Sequence, residues 1–306
     1  MTESNIHFII VTFNGGAFIR KCIQSIRIHS PASIIHVVDN NSTDDTITIL
    51  KELNQSFHSI NENIGFGQAN NIGIRAAIDN GAKFLFLLNQ DAYIQQNCTS
   101  NFLQLSTIHE DCIYAPVQLN GDGSKFDEVF YTRCIRWDSC YPFLEDIYLN
   151  RTQETYKMEY ANATAWIASS KLFQNIGGFS PTYFHYGEDD NFIDRLKYHN
   201  YSIRLLPNSS VYHDREHHSR GHFWKEVEHQ KRKFLRKLSD PKSAPVKEII
   251  RATKIQYFKK RIRGQKRDNI MEYHQLHGAR SIGIENIQHN RNQSAILNGP
   301  FIPQPK

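Results

Sequence analysis

The sequence predicts an α/β protein: a mostly parallel sheet with helices on both faces, continued by a basic helical C-terminal extension. Three observations predict it. Short β-branched and aromatic runs alternate with helical stretches over the first 120 residues, four of those runs end in polar residues, and the charge changes sign near residue 219.

The runs HFIIVTF (7–13), IIHVVDN (34–40), FHSIN (57–61), FLFLLNQD (84–91) and CIYAPVQL (112–119) read as strands. Between them, one helix begins after Gly15-Gly16 and carries Phe18, Cys22 and Ile26 on one face. A second follows NNSTDDT, where Ser42 or Thr43 is placed to cap it and Asp44 and Asp45 suit its dipole. A third, GQANNIGIRAAIDNG, ends near Gly81. This β-α-β rhythm requires crossovers, hence a parallel sheet covered on both sides. Farther on, GDGSKFDEVFYTRC reads as a turn and connection, WIASSKLFQNIGGF as a strand and a short helix ending in glycine, and GEDDNFIDRLKYHN as an amphipathic helix burying Phe192, Ile193 and Leu196. SIRLLPNSSVYHD reads as a strand with a turn.

Residues 1–219 hold 16 Lys/Arg against 24 Asp/Glu, whereas residues 220–280 hold 18 against 6. The expected division is therefore a folded part, 1–218, with halves 1–120 and 121–218, and a basic helical extension, 219–306, whose Asn/Gln/Pro-rich end after about Ile287 is expected to be poorly ordered. Phe, Trp, Ile and Leu interleave with the basic residues of 220–280, a composition that suits either an anionic membrane surface or solvated helices packed on the domain. The start has no basic stretch before an apolar one, and no apolar run approaches the ~18 residues of a membrane span, so a cytoplasmic protein is expected. Five scattered cysteines without a CxxC pair point to reduced, buried thiols.

In parallel sheets, ligands bind beyond the carboxyl ends of the strands. That rim here holds Thr12 and Asn14, Asp39 and Asn40, Asn61 and Asn63, and Asn89 and Asp91. Asp91, with no basic residue nearby in sequence, suits a hard divalent cation that would hold phosphate oxygens; a turn aspartate is the plainer alternative. Asn89, two residues earlier, is expected on the same side of an extended strand. Asp39 can accept from the imide N–H of a pyrimidine or from a ribose hydroxyl, or else close an Asx turn or cap a helix. Glu188, Asp189 and Asp190 open a helix, where its dipole favours them, and one of these mutually repelling carboxylates could act as a general base. Gly187 before them permits close backbone approach. His213 ends an apolar strand and suits a neutral imidazole ligand, while His217, His218 and His222 read as exposed residues without a zinc motif.

In this order, these segments resemble family 2 of the nucleotide-sugar glycosyltransferases, inverting enzymes of the GT-A (Rossmann-like) fold. The resemblance covers about residues 6–215: IIVTFNGGAFIRKCIQSI, VVDNNSTDDT, NENIGFGQANNIGIRAA, LLNQDAYI, IGGF and GEDDNFIDR. NIGFGQANNIG is similar to the rhamnosyltransferase-like branch. The resemblance implies that Thr12, Asn14 and Asp39 contact the nucleoside of a UDP- or dTDP-sugar, and that Asn63, Gly65 and Asn89 lie along the nucleotide-sugar. It implies that Asp91 and His213 hold Mn²⁺ or Mg²⁺, and that Asp189, beside Glu188, is the base for a hydroxyl of a glycan or lipid-linked saccharide acceptor in surface polysaccharide synthesis. The sequence departs from the pattern at Asn89, where the first aspartate of D-x-D stands in the family, and at Asn191, where a later aspartate of the ED helix stands; Arg195 is retained. Two other readings compete: a sugar-nucleotide nucleotidyltransferase, whose richer phosphate loop VTFNGGAFIRK lacks, and a catalytically silent scaffold, against which Asp39, Asp91, Asp189 and His213 weigh. A nucleic-acid partner is not expected.

Overall fold

The computed structural model describes residues 2–136, 139–140, 142–214, 222–263 and 269–304. In chain order the elements are β1 (Ile6–Thr12), α1 (Ile19–His29), β2 (Ile34–Asp39), α2 (Thr46–Glu52), β3 (Phe57–Ser59), α3 (Phe66–Asp79), β4 (Phe84–Leu88), β5 (Ala92–Ile94), α4 (Cys98–Leu103) and β6 (Cys112–Asn120). After a π-helical turn (Phe130–Cys134) come α5 (Phe143–Tyr148), β7 (Tyr156–Met158), β8 (Ala165–Ser169), α6 (Ser170–Ile176), α7 (Glu188–Tyr198) and β9 (Ser202–His213). The chain closes with α8 (His222–Ser239), α9 (Val246–Ile262), α10 (Asn269–Ile282) and α11 (Ile284–Ser294).

One sheet runs β3-β2-β1-β4-β8-β6-β9-β5, with β7 added beside β9. The first four strands are parallel, as the rhythm predicts. β8 then enters antiparallel between β4 and β6, and β6 and β9 run parallel to each other. β4 owes its unbroken apolar sequence to this central place: Leu85 and Leu87 join Ile9, Trp166, Phe179 and Phe192 on one face, while Phe84, Phe86 and Leu88 join Phe8, Ile10 and Ile23 on the other. The stacked rings of Phe8 and Phe86 lie 4.6 Å apart. α3 seats closely on β1 because position 73 is glycine, where a Cβ would come within 2.5 Å of Ile9. The five cysteines are free and buried.

Four local expectations are corrected. Neither Ser42 nor Thr43 caps α2; the helix starts after Asp45, and the Asp44 carboxylate accepts from both the Thr46 N–H and its hydroxyl. The Ser42 hydroxyl instead accepts from the Asn14 N–H. β9 runs through Pro207 without a turn, absorbing the proline as a register shift opposite Pro116/Val117. Asn89 and Asp91 do not share one side of an extended strand, because β4 stops at Leu88 and the Ala92 N–H closes a turn onto the Asn89 carbonyl.

The last correction concerns the C-terminus. The described residues after Ile287, up to 304, take defined positions: Ile287, Arg291 and Ser294 of α11 are buried, and the guanidinium of Arg291 donates to the carbonyls of Ala244 and Ser243. Beyond it the Pro300 carbonyl accepts from the Gly178 N–H, and Phe301 lies 5.0 Å from the Arg195 guanidinium. α8 to α11 share their own apolar cluster around Phe234, Leu238, Ile250 and Leu276. Among the described residues, no helix is long and apolar enough to cross a membrane.

Candidate active site

The rim beyond β1, β2 and β4 is tightly cross-linked. Thr12 is fully buried, and its hydroxyl donates to Gln90 Oε1 at 2.7 Å, an atom that also accepts from the Phe13 N–H at 3.0 Å. Gln90 therefore ties the turn holding Asp91 to the end of β1, and leaves the Phe13 ring 42% exposed on the rim. Asn14, at φ 47°, accepts from the Thr43 N–H at 2.8 Å. Asp39 is buried and receives the N–H of Ser42, three residues on, and the Ser59 hydroxyl, both at 3.3 Å, so its carboxylate ties the local chain turn after β2 to β3. Asn63 Oδ1 accepts from Asn40 Nδ2 and from the Gly65 N–H, both at 2.9 Å, fixing the entry to α3.

Gly65 has φ 85°, and a Cβ there would lie 2.0 Å from the Phe184 carbonyl oxygen, so only glycine fits. The contact joins this rim to the loop before α7. Asn71 strengthens the same junction: its amide donates to the Phe179 carbonyl and accepts from the Phe179 N–H at 2.9 and 2.7 Å. Arg195 is buried and donates to the carbonyls of Ile176 and Gly178, which gives this arginine an architectural task.

At the Asp91 turn the Asn89 amide nitrogen of the backbone donates to the Thr164 carbonyl, while the side-chain Oδ1 is buried without a hydrogen-bond partner. An orphaned acceptor is costly unless a ligand or water meets it. His213, the last residue of β9, pairs in register with Ala92 and Asn120. That register sets its Nε2 3.5 Å from Asp91 Oδ1 and its Nδ1 3.4 Å from Asp127 Oδ2. His213 and Asp127 are almost wholly buried, whereas the Asp91 side chain is 25% exposed. The other oxygen of Asp127 accepts from the Phe130 N–H at 3.0 Å and so starts the π-helical turn.

Among the described residues, no group of three or more His, Cys, Asp or Glu forms a cluster able to hold a metal by itself. Asp91 and His213 nevertheless fit a divalent ion shared with a diphosphate: they supply one oxygen and one nitrogen donor, and the exposed carboxylate leaves its remaining positions to phosphate and water. Asp127 on the far ring nitrogen is the usual partner of a metal-ligating histidine. His217, His218 and the side chain of His222 lie outside the described residues.

The third group stands at the N-terminus of α7, preceded by Gly187 at φ 100°. Its three carboxylates are sorted by their partners. Asp190 pairs with Arg133 at 2.8 Å and with Arg236 of α8 at 2.9 Å, and Arg236 also binds Asp194 at 2.6 Å. Asp189 accepts from the Tyr160 hydroxyl at 2.6 Å and from the Asp190 N–H at 2.7 Å. The Arg133 guanidinium covers the Tyr160 ring at 4.0 Å. Burial, and then the charge of Asp190, hold Asp189 above the usual carboxylate range. Glu188 is buried with Oε2 unpartnered, and burial followed by repulsion from Asp189 pushes its carboxyl up to about 8. Asn191, three residues on and on the same face of the helix, is buried with both amide atoms unpartnered.

One short segment connects the two poles. Asp127 meets His213, and six residues later Arg133 meets Asp190 and Tyr160. Asp127, Arg133, Tyr160 and Gln90 were not singled out by sequence reasoning; the signal for Asp127 is a carboxylate set between Phe126 and Phe130 in FDEVF.

The family model described as "Glycosyl transferase family 2" matches residues 7–171. The chain belongs to that family. A second model, "N-terminal domain of galactosyltransferase", matches residues 148–219. Among solved structures, the family 2 chain resembles GalNAc-T7, crystallised with UDP, GalNAc and Mn²⁺, at 17% identity and a TM-score of 0.55 over 69% of this chain and 44% of that one. The chain thus spans less than half the length of GalNAc-T7. It also resembles S. aureus TarS 1–349 in complex with UDP-GlcNAc, at 15% identity and a TM-score of 0.52 over 96% of this chain and 91% of that one. At these identities the likeness shows the fold, which is GT-A. A search of curated proteins finds no match.

Proposed function

We propose that the chain is an inverting, metal-dependent glycosyltransferase that moves a sugar from a UDP- or dTDP-sugar to a hydroxyl of a glycan or lipid-linked saccharide acceptor, in surface polysaccharide synthesis. The observation that carries this reading is the pairing of a metal-suited pole, Asp91–His213–Asp127, with a base-suited pole, Tyr160–Asp189, through the segment 127–133. UDP, UDP-GlcNAc and Mn²⁺ in the similar structures support a uridine donor and a divalent ion. The mixed oxygen and nitrogen donors favour Mn²⁺ over Mg²⁺.

The residues would divide the work as follows. The rim around Asn14, Asp39 and Phe13 receives the nucleoside, Asp39 accepting from the pyrimidine imide N–H and the Phe13 ring covering the base. Thr12 and Asn63 serve this rim through their bonds to Gln90, Asn40 and Gly65. The unpartnered Oδ1 of Asn89 accepts from a ribose or sugar hydroxyl, and the Gly65 backbone lies along the nucleotide-sugar. Asp91 and His213 would hold the ion, which when bound supplies charge neutralisation to the diphosphate. Asp189 takes the proton of the acceptor hydroxyl as its oxygen bonds to the anomeric carbon and the bond from that carbon to the diphosphate oxygen breaks on the opposite face, inverting the centre. Its raised affinity for a proton suits a base, and Tyr160 holds the carboxylate in place. Glu188, protonated through neutrality, is the less suitable of the pair.

This reading places the division of labour in a nucleotide-binding half, 1–120, an acceptor-side half, 121–218, and a basic extension, 219–306, acting at the cytoplasmic side of a membrane. The test is release of nucleoside diphosphate from UDP- and dTDP-sugars, dTDP-rhamnose included, with saccharide acceptors, and the anomeric form of the product by NMR. Turnover lost in Asp189→Asn with donor affinity kept supports the reading. Donor binding without turnover on any acceptor, or a retained anomeric configuration, overturns it.

A further inference from the structure

α9 has two apolar faces, and only one of them is used by the fold. Val246, Ile249, Ile250 and Thr253 are buried, most of them in the cluster shared with α8, α10 and α11. On the opposite side Ile255, Phe258 and Ile262 are 45%, 56% and 85% exposed. At about 100° per residue these three fall within an arc of about 60°. Arg251 lies within this arc, between Phe258 and Ile262; Lys259 stands about 40° and Arg263 about 80° beyond Ile255, Lys254 about 40° beyond Phe258, and the exposed Glu248 about 20° beyond Ile255. None of these four cations makes an ion pair among the described residues, whereas Lys260, on the inner side, is paired with Glu272 at 2.6 Å.

We propose that this outer face of α9 is a docking surface for an anionic lipid bilayer. Three large apolar side chains interleaved with and flanked by four cations on long stems, against one carboxylate at the N-terminal end of the face, match a leaflet interface, where the apolar tips enter the acyl boundary and the Lys and Arg heads reach the phosphates. A second copy of the chain is disfavoured, because a two-fold contact would set the same cations against themselves. Nucleic acid would use the cations but offers nothing to Ile255 and Ile262. The surface does not depend on the transferase reading, although a lipid-linked acceptor would explain its presence.

The test is co-sedimentation of the full chain with vesicles of phosphatidylcholine alone and with 30% phosphatidylglycerol, at two salt concentrations. Binding is expected only to the anionic vesicles and is expected to weaken with salt. Phe258→Ser/Ile262→Ser should lower the affinity at least about tenfold. Lys254→Gln/Lys259→Gln should lower it roughly 25-fold, about fivefold per charge. Circular dichroism checks that the variants fold, and UDP affinity measured on the same preparations separates failure of this surface from failure of the donor site. No binding to anionic vesicles, or binding unchanged in both variants, overturns the proposal. So does a dimer in sedimentation that Phe258→Ser dissolves, or preferential binding to an oligonucleotide.

Discussion

Replacing Glu188 by glutamine keeps the shape of the side chain and removes a charge that the fold resists. The carboxyl titrates at about 8 in the folded protein against an ordinary value of 4.5, because it is buried and faces Asp189. The folded state therefore binds this proton more tightly than the unfolded chain does, and stability contributed by the site is lost as pH rises from 4.5 through 8. Linkage gives a cost on the order of 1 kcal/mol near pH 5.5 and about 4 kcal/mol near pH 8. Asp189 relaxes part of this strain, so the net gain of Glu188→Gln should be roughly 1–2 kcal/mol larger at the higher pH than at the lower. Urea denaturation of wild type and variant at the two pH values reads the difference directly. A gain independent of pH, or one that is larger in acid, refutes the account of a neutral buried Glu188.

Three further predictions follow from the same geometry. Asp127→Asn leaves His213 in place but removes the carboxylate that fixes its far nitrogen, so Mn²⁺ affinity read by electron paramagnetic resonance should fall about 10–100-fold. Tyr160→Phe removes a hydrogen bond that lowers the proton affinity of Asp189, so the acid limb of the kcat profile should move to higher pH; a fall in kcat with an unmoved limb contradicts that role. Gly65→Ala should destabilise by about 1–3 kcal/mol from its positive φ alone, with overlap against the Phe184 carbonyl added, and thermal melting measures the loss.

The parallel half of the sheet was legible because its signals are local: apolar runs of strand length, helices of period 3.6 and polar strand ends. β1, β2, β4 and β6, and the helices α1, α3, α6 and α7, emerge where those signals place them. The insertion of β8 between β4 and β6 was not legible, since strand order is decided by long-range packing and leaves no mark on either strand's own residues. The C-terminal end read as disordered because Asn and Gln dominate it, yet Ile287 and Arg291 find a buried seat and Pro300 docks on the loop at Gly178. Asp91 and His213 were visible as isolated polar residues at strand ends, and β5 and β9 bring them together. Asp127 and Tyr160 were hidden because each owes its meaning to a partner more than 25 residues away: His213 and Asp189 respectively. Asp39 could be read either as a turn residue or as a base acceptor, and its bonds to Ser42 and Ser59 show the first in the structure.

The central claim is that Asp91 links a divalent ion to a nucleoside diphosphate at the rim of the sheet. Calorimetric titration of UDP into wild type and Asp91→Asn, each with and without Mn²⁺, tests it most directly. The account predicts that Mn²⁺ tightens UDP binding about tenfold or more in the wild type and has little effect in the variant. UDP affinity that is indifferent to the ion in both proteins, or an ion effect that survives Asp91→Asn, would contradict it.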